Sequence, residues 1–302
     1  MRRSFFEPVP APNALPFQAI DFTQTTIPNA MTVVAPIDQI PKSQAAPNSR
    51  LWIWQAVLLL GLVLYLLVPI VGLLRFSTRA ANGITFKYYL AAFSDPSFYK
   101  FLGNSLIAGL WTIAITLTLT TFTLYWAYLK ARWLLPFLEF LSLLPFVVPA
   151  VTLGLGLIQV FSTPPLMLTG TPYLLIGAYT VVTLPFAYRA IENSLQGANV
   201  KTLTEAAENL GSGWGRTFIE VILPCVWSGV ISGGLLVLSY VLGEFTLALF
   251  LVGSSFQTFP LYIQQLYSYQ PQYSTVMSLL SFISTWLVAW LLVVVTRRPN
   301  QA

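Results

Sequence analysis

The feature that most constrains this chain is the length of its charge-free runs. No Asp, Glu, Lys or Arg occurs in the 24 residues from Leu51 to Leu74, the 29 from Phe101 to Leu129, the 49 from Phe140 to Tyr188, the 23 from Val221 to Gly243 or the 52 from Phe245 to Thr296. A helix needs about 20 predominantly apolar residues to cross the hydrocarbon of a bilayer, so each run holds at least one crossing. The 49-residue run is too long for one, and Ser162-Thr163-Pro164-Pro165 with Gly170 interrupts it where a loop is expected. The Gln- and Tyr-rich stretch Ser254 to Gln272 interrupts the last run in the same way. The spacing therefore predicts an all-α integral membrane protein with six spans, near 51–74, 103–128, 133–161, 172–188, 225–252 and 274–296.

Only 25 of the 302 residues are charged, and there is no His and a single Cys, Cys225. So few charges cannot cover a water-exposed surface, which excludes a soluble globular enzyme. The missing His and lone Cys exclude His acid–base chemistry, Cys/His metal sites, internal disulfides and a Cys–His nucleophile. No polar catalytic cluster can be assembled, so the chain is not expected to be an enzyme or to hold a cofactor. The net charge of +5 is not read as nucleic-acid binding, because basic residues gather in the cytoplasmic loops of membrane proteins. With the N-terminus inside, eleven Lys and Arg face the cytoplasm and four (Arg75, Arg79, Lys87, Lys100) face outward, so both termini are expected inside. Residues 1–49 carry 8 of the 21 prolines and no sustained period, and are expected to be a disordered cytoplasmic tail. They are not expected to be a signal peptide, because Arg2-Arg3 is followed by Phe5-Phe6-Glu7-Pro8 and not by an apolar run.

Between the fourth and fifth predicted spans lies the longest polar insertion, residues 189–224. Thr202-Leu203-Thr204-Glu205 fits a capping box. Leu203, Ala206, Ala207 and Leu210 then recur at helical spacing as one apolar stripe, and Gly211 suits a left-handed helix end. The result is a helix of about eight residues with a flat Ala face, followed by a Gly-rich turn and a second amphipathic stretch that ends at Leu223-Pro224. Such a short helix is marginal alone. Its shape suits insertion into a partner's groove, although packing on the chain's own helix ends would give the same pattern.

Glu205-Ala206-Ala207, three residues, Gly211, nine residues, Val221, one residue and Leu223-Pro224 resembles the EAA loop of permease subunits of type I ABC importers, EAA-x3-G-x9-I-x-LP. Val221 for Ile is the only departure. Asn104-Ser105-Leu106, Pro145, Pro149, Thr183-Leu184-Pro185-Phe186 and Gly243-Glu244-Phe245 are also similar to that family, so the likeness covers roughly residues 100–296. The resemblance implies that Glu205, Ala206, Ala207 and Gly211 form a coupling helix docking into a cytoplasmic ABC ATPase dimer, with Leu223 and Pro224 fixing the loop. The chain has no G-x-x-x-x-G-K-[ST] phosphate loop, so ATP and Mg would be bound by the partner ATPase. Implied further are a second permease subunit, a paralogue, an extracytoplasmic substrate-binding protein and a location in the bacterial inner membrane. Glu244 and Phe245 are candidates for the translocation pathway, because an acid near a span is costly unless it is used; the alternative is that Glu244 reaches the interface. Gly243-Glu244-Phe245-Thr246 and Thr258-Phe259-Pro260-Leu261-Tyr262 resemble spermidine/putrescine-type permeases most, with ferric iron, phosphonate, thiamine or molybdate as alternatives. A secondary transporter would be expected to show intramembrane charge relays and repeat pairs, which this sequence lacks.

Overall fold

The computed structural model describes residues 49–80 and 83–296; the expected tail at 1–49 falls almost wholly outside them. The chain is an α-helical membrane protein. Its helices are α1 (Ser49–Ser77), α2 (Lys87–Ser94), α3 (Pro96–Lys130), α4 (Leu135–Val147), α5 (Ala150–Phe161), α6 (Pro172–Gly197), α7 (Val200–Asn209), α8 (Trp214–Thr217), α9 (Leu223–Gly243), α10 (Thr246–Leu251), α11 (Phe259–Tyr269) and α12 (Pro271–Thr296). A two-residue antiparallel pairing, Arg79–Ala80 with Gly83–Ile84, follows α1.

Among the described residues, five helices are individually long and apolar enough to cross a membrane: α1, α3, α6, the continuous helix from Trp214 to Gly243, and α12. The segment expected as one span over 133–161 is instead a broken pair, α4 and α5, bent by 97°. Its cause is local. A proline disfavours helical geometry in the residue before it, and Val148, which precedes Pro149, is extended at φ −91°, ψ 120°. The expected span 225–252 also differs. Its helix begins eleven residues earlier, at Trp214, and stops at Glu244, whose backbone turns to φ −81°, ψ 122°; α10 follows as a separate short helix.

The core lies where α3, α6 and α9 pack on one another, around the buried side chains of Leu124, Tyr125, Leu175, Tyr179, Ile191, Ile222, Val226 and Val237. Lipid tails are as apolar as leucine, so helices in a membrane associate through close packing of small residues. Along α9, Gly229 sits against Ala190 and Ser194 of α6, while Gly233 and Gly234 meet Leu117 of α3. Some polar groups inside this core are paired: Thr112 donates to the Ala108 carbonyl at 2.8 Å, and Thr116 and Thr183 approach to 3.4 Å across α3 and α6.

At the Pro96 end of α3 the polar residues of the sequence find distant partners. The Asn104 amide donates to the Gln257 carbonyl at 2.9 Å, and Ser105 Oγ accepts from the Phe259 amide at 2.8 Å. Asp95 caps α3 by accepting from the Ser97 amide at 2.8 Å, and its other oxygen accepts from the hydroxyls of Tyr262 (2.9 Å) and Tyr273 (2.8 Å). The polar stretch that interrupts the last run is helical over Phe259–Tyr269, as α11, which is too short to span and is pinned to α3, with Phe98 packed edge-on against Phe259 and Phe101 tilted on Tyr262. Burial pushes the Asp95 carboxyl up, but the Ser97 amide and the two tyrosine hydroxyls outweigh it and hold it below the ordinary carboxylate range. Burial and the same carboxylate push the Tyr262 hydroxyl up to about 12.

A group whose folded pKa is depressed stabilises the fold above its unfolded pKa and loses that contribution as pH falls through the folded value. Asp95→Asn is expected to cost about 1.5 kcal/mol at neutral pH, as for hydrogen bonds to a charged acceptor. Measured by thermal melting in detergent, the gap between variant and unaltered protein should close as the pH falls through the ordinary carboxylate range and below it, where the folded-state Asp95 itself protonates. A gap independent of pH would mean that the ionised carboxylate is not what the tyrosines recognise.

Candidate functional site: the α7 loop and the Glu244 turn

α6 does not end at 188, as the charge pattern suggested, but runs on to Gly197, so Arg189 and Glu192 lie on it. Glu192, expected in the loop, is buried on α6, where its carboxylate accepts from Tyr188 and Gln196, both at 3.4 Å. Arg189 reaches across to Glu139 of α4 at 2.6 Å. Asn199 then adopts a left-handed backbone (φ 48°, ψ 54°), a conformation Asn tolerates better than most residues, and the chain turns directly into α7.

α7 thus starts at Val200, two residues ahead of the expected cap. Thr202 lies inside the helix, and the capping box with Glu205 does not form. Glu205 points outward, its side chain 60% exposed, with Lys201 Nζ at 3.7 Å. The apolar stripe is rotated as well. The face turned to the protein is Val200, Leu203, Thr204 and Ala207, whereas Ala206 is exposed and Leu210 is 89% exposed. Thr204 makes this face because its hydroxyl donates to the Val200 carbonyl at 2.8 Å and lies 3.3 Å from the Tyr125 hydroxyl of α3.

The far end of α7 follows the expectation closely. Gly211 has φ +84°, its amide donates to the Glu208 carbonyl at 2.9 Å, and the Ser212 amide donates to Ala207 at 3.0 Å. This is the paired hydrogen-bond pattern of a left-handed C-terminal cap, which favours Gly. Trp214 then opens the long helix toward α9. Rings from α3 and this helix cluster beneath α7: Phe122 with Phe218 at 4.7 Å, Tyr125 with Phe218 at 5.1 Å and with Trp214 at 5.7 Å. Such ring pairs contribute about 0.5–1.5 kcal/mol each beyond their burial.

Leu223 and Pro224, expected to close the loop, lie within the helix and do not end it. Phe218–Ile222 form a π turn, with the Leu223 amide donating to Phe218, and α9 continues from Leu223. A proline inside an α-helix removes a donor and crowds the carbonyl four residues back; here the wider turn directly precedes Pro224.

At the other end of α9, Glu244 is a buried acid. It is 8% exposed, and its carboxylate accepts from the Leu247 amide (2.9 and 3.0 Å) and the Ala248 amide (3.4 Å) at the start of α10. The break after Gly243 leaves those amides without carbonyls, and the acid supplies the missing acceptors. Phe245, next to it, is half-buried. Nearby, the Gly170 amide donates to the Leu251 carbonyl and the Gly253 amide donates to Gly170, so the loops flanking α6 and α10 are joined by backbone alone. Glu244→Ala leaves buried amides unpaired and is expected to destabilise the protein by about 2 kcal/mol, with Glu244→Gln losing roughly half of that. Thermal melting of both variants checks it, and equal losses would show that the space, not the acceptor, matters.

Residues 120–300 match the model of the binding-protein-dependent transport system inner membrane component family. The chain is 26% identical over 211 residues to the "Probable ABC transporter permease protein y4fN" of Sinorhizobium fredii, a match covering 65% of this chain and 37% of that protein. It is 29% identical over 167 residues to the spermidine/putrescine transport system permease protein PotB of Escherichia coli, covering 50% of this chain and 60% of PotB. It is 41% identical over 68 residues to the molybdenum transport system permease protein ModB of the same organism, covering 22% and 29%. The chain thus spans little more than a third of the first of these relatives. A chain of a bacterial alginate ABC transporter, solved in complex with a pentasaccharide-bound periplasmic protein, shares the fold with a TM-score of 0.60 at 16% identity, over 84% of this chain and 97% of that one.

Proposed function

The chain belongs to the binding-protein-dependent transport system inner membrane component family, and from that premise we propose that it is the permease subunit of an ATP-driven importer, with α7 as the element that engages the ATPase. The observation that carries this reading is α7 itself. It is a ten-residue helix that packs by one face on α3 and on the helix from Trp214, is ended by Gly211 in a left-handed backbone form, and presents Glu205, Ala206 and the following Leu210 outward. A short helix that turns small and apolar side chains outward has the shape of an element that seats in a partner's groove. Its partner is a cytoplasmic ABC ATPase, two copies of which bind and hydrolyse ATP with Mg. α7 accordingly faces the cytoplasm, as do both termini, and the Asp95 cluster faces outward toward a substrate-binding protein. A second permease, a paralogue of this chain, completes the passage.

The substrate reading is a polyamine, supported by the motifs around Gly243 and Thr258 and by the similarity to PotB. Glu244 does not add to it, because its carboxylate is committed to the α10 amides. Two measurements test the proposal. A tagged chain extracted in mild detergent should bring down an ATP-hydrolysing subunit and a second permease; recovery of the chain alone, with uptake independent of ATP, would rule out an importer. Titration of the cognate binding protein with spermidine, putrescine, ferric iron and molybdate should give tight binding to a polyamine, and preference for either metal species would replace the substrate while leaving the importer in place.

A further inference from the structure

The buried face of α7 rests on two spans at once. Val200, Leu203, Thr204 and Ala207 lie against the last turns of α3 and against the helix that runs from Trp214 through the π turn into α9. Four rings close this junction. Trp214 and Phe218 lie nearly parallel, 6.0 Å and 9° apart; Phe122 stacks on Phe218 at 4.7 Å; and Tyr125 touches both. Tyr125 is fully buried, and Phe218 nearly so. The Tyr125 hydroxyl meets Thr204 on α7 at 3.3 Å, so the ring cluster grips α7 as well as the two spans. Among the described residues, no hydrogen bond, ion pair or ring contact joins α7 to α4, α5, α10 or α11. Interlocked rings cannot slide past one another without losing their contact, so a packed junction of this kind moves as a unit.

We infer that the Phe122–Tyr125–Trp214–Phe218 cluster is the rigid link that makes α3 and α9 follow α7 as one body. Its members are therefore positioning residues of the transport cycle, lying behind the docking face and not on it. This rests on the importer reading, since it takes α7 as the part that the ATPases move.

The test uses the complete complex with its ATPase in lipid nanodiscs, with Cys225 changed to Ser. Nitroxide labels at Thr118 of α3 and Glu208 of α7, both exposed, report the distance within the chain, and a second pair runs from Thr118 to the neighbouring permease. ATP with vanadate should shift the second pair and leave the first at one narrow, unchanged distance. Phe218→Leu or Trp214→Leu should broaden the first pair and make it respond to nucleotide, and Phe218→Trp, which restores a ring, should return it to the native value. A first pair that shifts with nucleotide in the unaltered ring cluster, or that stays fixed in both leucine variants, overturns the link while the importer reading stands. If the second pair never responds to nucleotide, the importer reading falls and takes the link with it.

Discussion

Gly229→Ala is expected to be among the most damaging single-methyl additions in this protein, lowering its stability by about 3 kcal/mol, at the upper end for overpacking. A Cβ at this position would stand 2.4 Å from Ser194 Cβ, 2.8 Å from Ser194 Oγ and 2.8 Å from the Ala190 carbonyl oxygen. The first two belong to a side chain, but the third is the backbone of α6, which yields only if α6 and α9 move apart. Ser194→Gly in the same chain should therefore recover part of the loss and not all of it. Gly177→Ala is the matched control. It too lies within a spanning helix, α6, but nothing stands within 4 Å of its Cβ, so it should be neutral or stabilise by about 0.5 kcal/mol through the lost backbone entropy of Gly. A melting temperature for Gly229→Ala within a degree of the unaltered protein would mean that the α6–α9 crossing is looser than these distances require; about 6–12 °C of loss is expected for 3 kcal/mol.

The second large effect is on coupling and not on folding. Glu205→Arg should leave the protein inserted and equally stable, because the carboxylate is mostly exposed and its pairing with Lys201 is a surface ion pair. In the proposed docking the acidic Glu205 is taken to meet basic groups of the ATPase; reversing its charge places like charges together, which costs several kcal/mol, so recovery of the ATPase with the permease should fall on the order of a hundredfold. Gly211→Asp acts differently. The space around Gly211 is open, but φ +84° disfavours any side chain by about 1 kcal/mol, so the end of α7 is expected to shift while the spans stay intact. Both variants are compared in proteoliposomes by the solute imported per ATP hydrolysed. A normal ratio in both would remove α7 from the coupling role.

Much of the architecture was legible in where charges are absent, since a missing charge over 20 or more residues has one physical reading. What the runs could not supply is direction within lipid. α4 and α5 are equally apolar on both sides of Pro149, so a continuous span and one bent by 97° look the same in composition. The register of α7 is not legible in the sequence for a related reason. The three-residue shift of the cap from Thr202 to Asn199 depends on one left-handed backbone, and the inward face depends on the Tyr125 hydroxyl, 79 residues from Thr204. Asn104 and Ser105 carried a usable signal, because polar groups on an apolar helix must find partners; that those partners are Gln257 and Phe259 was beyond local pattern. Glu244 stands out in the sequence as an acid near a span, but the loose amides it satisfies exist only because the helix breaks beside it.

The π turn at Phe218–Ile222 gives the spacing between Gly211 and Leu223-Pro224 a geometric meaning. Each residue of an α-helix advances the azimuth by about 100°, so one residue more or fewer in this stretch swings everything before it by more than a quarter circle about the axis of α9. Side chains along the stretch can be exchanged, as Val221 for Ile already is, without altering that angle. The residue count cannot change, because it sets the compass bearing at which α7 leaves the membrane helices.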